Sequence, residues 1–287
     1  MTTLRSTRRR ATNLAAAAGL VCAAATLVFA QQIWIAPGPG GLSRMAPKWA
    51  TPADFVGAFL YCRGYFEQVR YESGGMGWWT DYPNADHNFS VRLAELTRVP
   101  VPFDGRREPN FVVVRLADPL LYRCPLLFME DVGTVRFSES EVRNLREYFL
   151  KGGFLWVDDF WGSRAWSYWV TEISRVLPPA DFPIFDIPAG HPIMHALYDV
   201  KAIPQIPSIN FWSRDHRGRT SERGPDSTQV NWRGIQDQRG RLMVLMSHNT
   251  DIADSWEREG ESQEYFDLFS PRGYAIGVNV VLYALTH

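Results

Sequence analysis

Two aspartates at the end of an apolar run are the residues of this chain best placed to do chemistry. Phe154-Leu155-Trp156-Val157 leads into Asp158-Asp159 and then Phe160-Trp161-Gly162, after entry through Lys151-Gly152-Gly153. The run reads as a buried strand that stops just before a helix. In an open α/β sheet, ligands and nucleophiles sit at such a strand-to-helix corner. A thiol or hydroxyl there attacks an acyl carbon; two carboxylates do other work. They can serve as an acid–base pair when one is kept protonated by its neighbour. They can also hold a hard cation through oxygen. The structural role is an N-cap, in which an aspartate accepts backbone N–H bonds ahead of a helix.

Further candidates surround that corner. Asp81, Asp86, Asp251 and Asp254 fall in or beside expected loops that can converge on Asp158 and Asp159. Trp161 and Trp256 stand next to acids, the aromatic-plus-carboxylate pattern that grips sugar rings, whereas Trp166 and Trp169 fit the buried stripe of a helix. His191 and His195 are spaced i, i+4, so a helix opened by Pro192 would put both on one face as a Zn²⁺ pair. No HExxH acid accompanies them, and a histidine before proline is more often a turn residue, so they are weak metal candidates. Asp81, Asp86, Asp158, Asp159, Trp161, His191, Asp251, Asp254 and Trp256 are therefore the expected ligand contacts. No catalytic residue is assigned and no cofactor is expected.

The missing nucleophile narrows the chemistry. Cys62 lies inside an expected first strand and Cys124 precedes another apolar run, so neither follows Val157. Ser163 lies past the turn, with no GxSxG around it. Thiol-dependent amide hydrolysis and serine-elbow chemistry are both disfavoured. In an oxidising compartment Cys62 and Cys124 can pair, but spacing alone gives no Cα distance.

The elements that must position these side chains follow from periodicity. Phe55 to Arg70 reads as a first strand and Asp86 to Thr97 as a helix with Phe89, Leu93 and Leu96 on one face. Phe111–Val114 and Pro125–Met129 suit fully buried strands. Ser138 and Glu141 form a capping box, Val142, Leu145 and Phe149 repeat at helical spacing, and Gly152-Gly153 supplies the stop. A second amphipathic helix runs through Trp166 to Leu177, ending at Pro178-Pro179. Thr228–Ile235 and Arg241–Ser247 read as a hairpin, and a closing helix is expected from about Gly273 to Thr286. Strands alternating with helices predict an α/β domain with a mostly parallel sheet and helices on both faces.

The N-terminus carries an address. Arg5, Arg8, Arg9 and Arg10 precede an apolar run from Leu14 to Ala30 that ends Val28-Phe29-Ala30. Basic region, short apolar core and small-x-small site are the parts of a signal peptide over residues 1–30. The alternative is an anchor in the inner membrane formed by residues 11–30. Residues 31–52, with Pro37-Gly38-Pro39-Gly40-Gly41, read as a linker, leaving 53–287 as one domain. Without residues 1–30 the formal charge moves from −1 to −5, which points away from nucleic acid. The remainder is rich enough in apolar residues, 46% over the 287-residue chain, to build a full core. An exported protein is expected, periplasmic or extracellular, touching membrane only through an uncleaved N-terminus.

Five blocks together resemble a known family. They are Trp78–Asp86, Gly152–Gly162, His191-Pro192-Ile193, Asn249-Thr250-Asp251 through Trp256, and Ala275-Ile276-Gly277-Val278-Asn279. In this order they resemble the bacterial DUF4159 family over roughly Pro52 to His287. The resemblance implies a flavodoxin-like, class I glutamine amidotransferase-like fold in an exported or tethered protein. Such an amidotransferase needs a cysteine at the corner, and this chain carries Asp158-Asp159 there. The expected function is thus a non-catalytic binding or assembly module with a degenerate amidotransferase-like site, engaging a protein partner or an envelope ligand. The alternative is a carboxylate- or metal-dependent hydrolase acting on cell-envelope carbohydrate.

Overall fold

The structure, a computed structural model, describes residues 46–215 and 218–287. The signal or anchor expected over residues 1–30 lies outside the described residues. Contacts divide the chain into units Met1–Arg44 and Met45–His287, and the second holds the whole sheet.

In chain order the elements are β1 (Tyr61–Tyr65), β2 (Glu67–Gln68), α1 (Asn84–Leu96), β3 (Phe111–Arg115), β4 (Leu126–Glu130), β5 (Val135–Arg136), α2 (Glu139–Leu150), β6 (Phe154–Phe160), α3 (Gly162–Val176), β7 (Ile184–Asp186), α4 (Ile209–Arg214), β8 (Asn231–Gln236), β9 (Leu242–His248), α5 (Asp254–Glu257) and α6 (Gln263–Thr286). Seven strands form one sheet in the order β3-β1-β4-β6-β9-β8-β7. Pairing is parallel from β3 to β9 and antiparallel for β8 and β7. The segment bearing Asp158-Asp159 is therefore the middle strand. β1 has β3 on one side and β4 on the other, so the strand order reverses between β1 and β4. A crevice opens at such a switch, outside the carboxyl ends of the strands.

Both faces are covered, and the period-2 alternation of the strands explains how. Leu155 and Val157 join one core with Leu127 and Met129, against Leu145 and Phe149 of α2 and Trp169 and Ile173 of α3. Phe154 and Trp156 join the other with Leu126 and Phe128, against Phe89 and Leu93 of α1 and Val278 and Val281 of α6. Strands buried on both faces need continuous apolar sequence, as β4 and β6 have. Each such side chain stabilises the fold by roughly 1.5–3 kcal/mol on leaving water.

Local signals act as their chemistry dictates. In α2 the Ser138 backbone N–H donates to Glu141 at 2.8 Å, and the Glu141 N–H donates to Ser138 Oγ at 3.3 Å. Gly152 ends that helix at φ +104°, a conformation costly for other residues. Cys62 and Cys124 are joined in a disulfide with Cα atoms 6.0 Å apart. Among the described residues, no helix is long and apolar enough to cross a membrane.

Four expectations need correction. The first strand is confined to Tyr61–Tyr65, because Pro52–Asp54 forms a 3-10 turn and Phe55 to Gly57 leaves the sheet. Part of the expected linker belongs to the domain: Val113 N–H donates to Lys48 O at 2.8 Å, and Ala50 N–H donates to Val113 O at 3.0 Å. The last helix begins ten residues early, at Gln263, where Ser262 Oγ caps it, and it runs through Pro271. Leu96 is 43% exposed, off the buried face that Phe89 and Leu93 share.

Candidate functional site

Three adjacent parallel strands end alike. β4 runs into Glu130-Asp131, β6 into Asp158-Asp159 and β9 into His248-Asn249. Just past or within the last pairs of each strand the backbone turns left-handed: Asp131 at φ +48°, Asp159 at φ +48° and Asn249 at φ +66°. Asp81, on the loop before α1, does the same at φ +59°. These are four of the five non-glycine residues with positive φ among the described residues. Asp and Asn enter this region more readily than most residues, because their short polar side chains bond locally. The turns are locked together: Asp131 N–H donates to Asp159 O at 3.1 Å, and Asn249 N–H to Phe160 O at 3.1 Å. Strain of this kind gathers where a structure must present particular groups.

The capping role falls to residues far along the chain. Gly162 N–H, the first of α3, donates to Asn249 Oδ1 at 2.7 Å, and Ser163 N–H donates to Asp226 Oδ2 at 2.9 Å. Gly162 adopts φ +80°, and a Cβ there would lie 2.5 Å from the Asp226 carboxylate. Asp159 thus caps nothing. Its Oδ1 accepts from Trp161 Nε1 at 2.8 Å, and the residue remains only half-buried.

A buried acidic recess forms above β4, β6 and β9. Carboxylate oxygens of Asp81, Glu130 and Asp251 lie within 4.8 Å of one another, and so do those of Asp81, Asp254 and Glu257. Two oxygens in the recess, Asp81 Oδ2 and Glu130 Oε1, are buried without a hydrogen-bond partner. Burial, then the neighbouring Glu130, holds the Asp81 carboxyl well above its ordinary range. Burial, then Asp159, does the same to Asp251. Burial followed by Asp81 raises both Asp159 and Glu257. In Asp254, burial raises the pKa to about 6, opposed by bonds from Ile209 N–H at 2.6 Å and Tyr265 Oη at 2.9 Å.

One arginine stands beneath this charge. Arg63, wholly buried, donates through Nε to both Asp86 oxygens at 2.9 and 3.0 Å, through Nη1 to Thr80 O at 2.8 Å, and to Glu130. It balances Asp86 and one side of Glu130, and leaves the recess acids in excess.

The structure brings Asp81, Asp159, Asp251 and Asp254 together and gives the other expected contacts different work. Asp86 is the buried partner of Arg63. Asp158 is an anchor: it accepts from Ser247 Oγ and, at 3.0 Å, from Ala253 N–H, with burial raising its pKa to about 7. Trp161 is 3% exposed and Trp256 0%, so neither forms an open aromatic rim; Trp256 packs on Phe89 in the core. His191 and His195 do not share a helical face, since Pro192–Met194 is a 3-10 turn. His191 Nδ1 accepts from Ile193 N–H and its ring packs on Tyr283, whereas His195 bonds Asp199 and Ala189 O.

Sequence reasoning missed Glu130, Glu257 and Arg63. Glu130 had a signal: Leu126–Met129 runs into Glu130-Asp131 just as Phe154–Val157 runs into Asp158-Asp159, and Glu130 pairs with Asp158 in register. Among the described residues no free thiol stands at the corner. Both described cysteines are in the disulfide, and Ser163 Oγ donates to Asp226 at 3.1 Å. His248, neutral because burial lowers its pKa to about 4, turns Nε2 to Gly162 O instead. A shallow cleft of about 390 Å³ beside it is lined by Ser163, Trp166, Asp226, Asn231 and Arg233.

Fold and site define an α/β domain with a parallel central sheet and an acid-lined carboxyl edge. The chain belongs to the DUF4159 family, described as Domain of unknown function (DUF4159), whose profile matches residues 65–285. No curated protein matches the chain.

Proposed function

We propose that the protein is an exported binding or assembly module whose ligand site is the acidic recess above β4, β6 and β9. Its five parallel strands, counted along the chain, stand in the order 2-1-3-4-5, which supports a flavodoxin-like fold of the class I amidotransferase kind. In that reading the corner of β6 is degenerate, with Asp159 where a nucleophile would stand. The Cys62–Cys124 disulfide supports an oxidising compartment, hence export.

The observation that carries the reading is the convergence of strained acids on one rim with no thiol or serine–histidine pair among the described residues. An acidic recess takes a cation or a ligand rich in hydrogen-bond donors. The alternative, hydrolysis of envelope carbohydrate by a pair of these carboxylates, is separated from this reading by turnover.

The test is retention of purified protein on isolated cell-envelope fractions, sacculi and membranes separately, beside a screen for glycan, ester and amide hydrolysis. Wild-type protein is expected to be retained without turnover, and Asp159→Asn or Asp251→Asn to be released. Equal retention of the variants, or turnover that Asp251→Asn abolishes, overturns the proposal.

A further inference from the structure

We infer that the inner part of the recess is a Ca²⁺ site formed by Asp81, Glu130 and Asp251, an inference that rests on the recess being the functional site. The argument begins with unmet bonding. Asp81 is 8% exposed, Glu130 0% and Asp251 2%, yet the Asp81 and Glu130 carboxyls meet at hydrogen-bonding range with no other donor for Asp81 Oδ2 or Glu130 Oε1. Buried carboxylate oxygens in native proteins are paired, hydrogen-bonded or ligated to metal. Here two orphan oxygens belong to the same cluster of three donors.

The number of protein carboxylates selects the ion. Ca²⁺ takes oxygens at about 2.3–2.6 Å, so donors on opposite sides of its sphere stand about 4.6–5.2 Å apart. The three donors lie within 4.8 Å of one another, and so fit inside that sphere. Mg²⁺ at about 2.0–2.1 Å demands a tighter octahedron, keeps several waters and uses one or two protein carboxylates. Three buried protein carboxylates are a Ca²⁺ set.

Charge agrees with geometry. Arg63 already bonds Asp86, Thr80 O and Glu130 and donates to neither Asp81 nor Asp251, so its charge, felt by Asp81, is divided among several acids. Asp251 Oδ1 accepts from Asp254 N–H at 2.8 Å, which fixes its orientation as a neighbouring hydrogen bond does for a metal-ligating carboxylate. Asp81 is shared with the second triad, Asp254 and Glu257, of which Glu257 is half-buried.

Isothermal titration of chelator-treated protein with CaCl₂ and, separately, MgCl₂ tests the site, alongside thermal melting in each salt. One Ca²⁺ per chain is expected, bound more tightly than Mg²⁺, with a rise in Tm. Asp81→Asn and Asp251→Asn are each expected to weaken Ca²⁺ at least tenfold. Glu130→Gln, which keeps an acceptor for Arg63, should do likewise, and Asp237→Asn at the far end of the sheet should change nothing. No Ca²⁺ binding up to ~10 mM, above the weakest extracellular Ca²⁺ modules, overturns the inference and leaves protons shared among the acids as the occupant. Tighter Mg²⁺ binding, or Ca²⁺ binding undiminished in the variants, overturns it equally. Envelope retention separates this failure from that of the function. Retention that persists in chelator and still needs Asp251 sinks the ion alone, whereas Ca²⁺ binding with no retention in either condition sinks the binding role alone.

Discussion

The two ends of the parallel sheet are built on opposite principles. At the amino end, the turn before β6 and the hairpin between β8 and β9 meet with their charges satisfied. Arg241 reaches Phe149 O at 2.8 Å, Gly153 O at 3.2 Å and Asp237 at 3.2 Å, closing the last turn of α2 with a cation where the helix dipole favours one. Lys151 pairs with Glu147 at 2.8 Å, and Tyr148 Oη donates toward Cys124 O and Phe154 O. At the carboxyl end, left-handed turns press carboxylates together with one buried arginine beneath them. One end is closed with its charges paired; the other leaves carboxylates in excess of the cations beside them. Natural sites keep such frustration where function requires it.

The contrast is sharpest at Arg63, the wholly buried cation at the acidic end. Arg63→Met leaves Asp86 and Glu130 buried without their partner, and the expected loss is about 3–5 kcal/mol, read by urea unfolding. A loss under about 1 kcal/mol would break the claim that Arg63 balances these acids. Next comes the covalent staple between β1 and the entry to β4. Cys62→Ala with Cys124→Ala opens a loop closed by a sequence separation of 62, and an expected cost of about 4 kcal/mol follows from chain entropy.

His248, at the end of β9, sharpens the comparison through pH. Its folded pKa of about 4 lies below the ordinary value of 6.5, so it contributes stability above pH 6.5 that is lost as pH falls toward 4. The full span is worth about 3 kcal/mol. Asp131 and Asp158, both raised to about 7, act the other way, with stability present below pH 4 and lost as pH rises through 7. Comparison with His248→Gln isolates the histidine: the wild-type advantage in Tm should shrink between pH 7 and pH 4.5. The smallest effects have opposite signs at the two ends. Arg241→Ala is expected to cost about 1 kcal/mol. Asp81→Asn in chelator is expected to gain about 0.5–2 kcal/mol by relieving like charge. A destabilised Asp81→Asn would mean that the recess acids support the fold.

Much of this was legible in particular residues. Phe154–Val157 must be buried on both faces, and Ser138 with Glu141 must open a helix, because those preferences act within a few residues. The acids at the end of β6 were visible for the same reason. The misses were nonlocal. Trp256 beside Glu257 looked like a rim residue, but the packing of α5 against α1 buries it on Phe89. The capping of α3 by Asn249 and Asp226, 87 and 63 residues away from their donors, has no local trace.

Composition, periodicity and caps determined that this chain forms an α/β sheet with acids ending its central strand, since burial and capping are decided by near neighbours. Only the tertiary structure decided that Glu130, Asp81 and Asp251 meet beside Asp159, that Asp158 is an anchor, and that the two cysteines close on each other. Strand order and the loops above it set which distant side chains share a few ångströms, and charge–charge energies are largest at those distances.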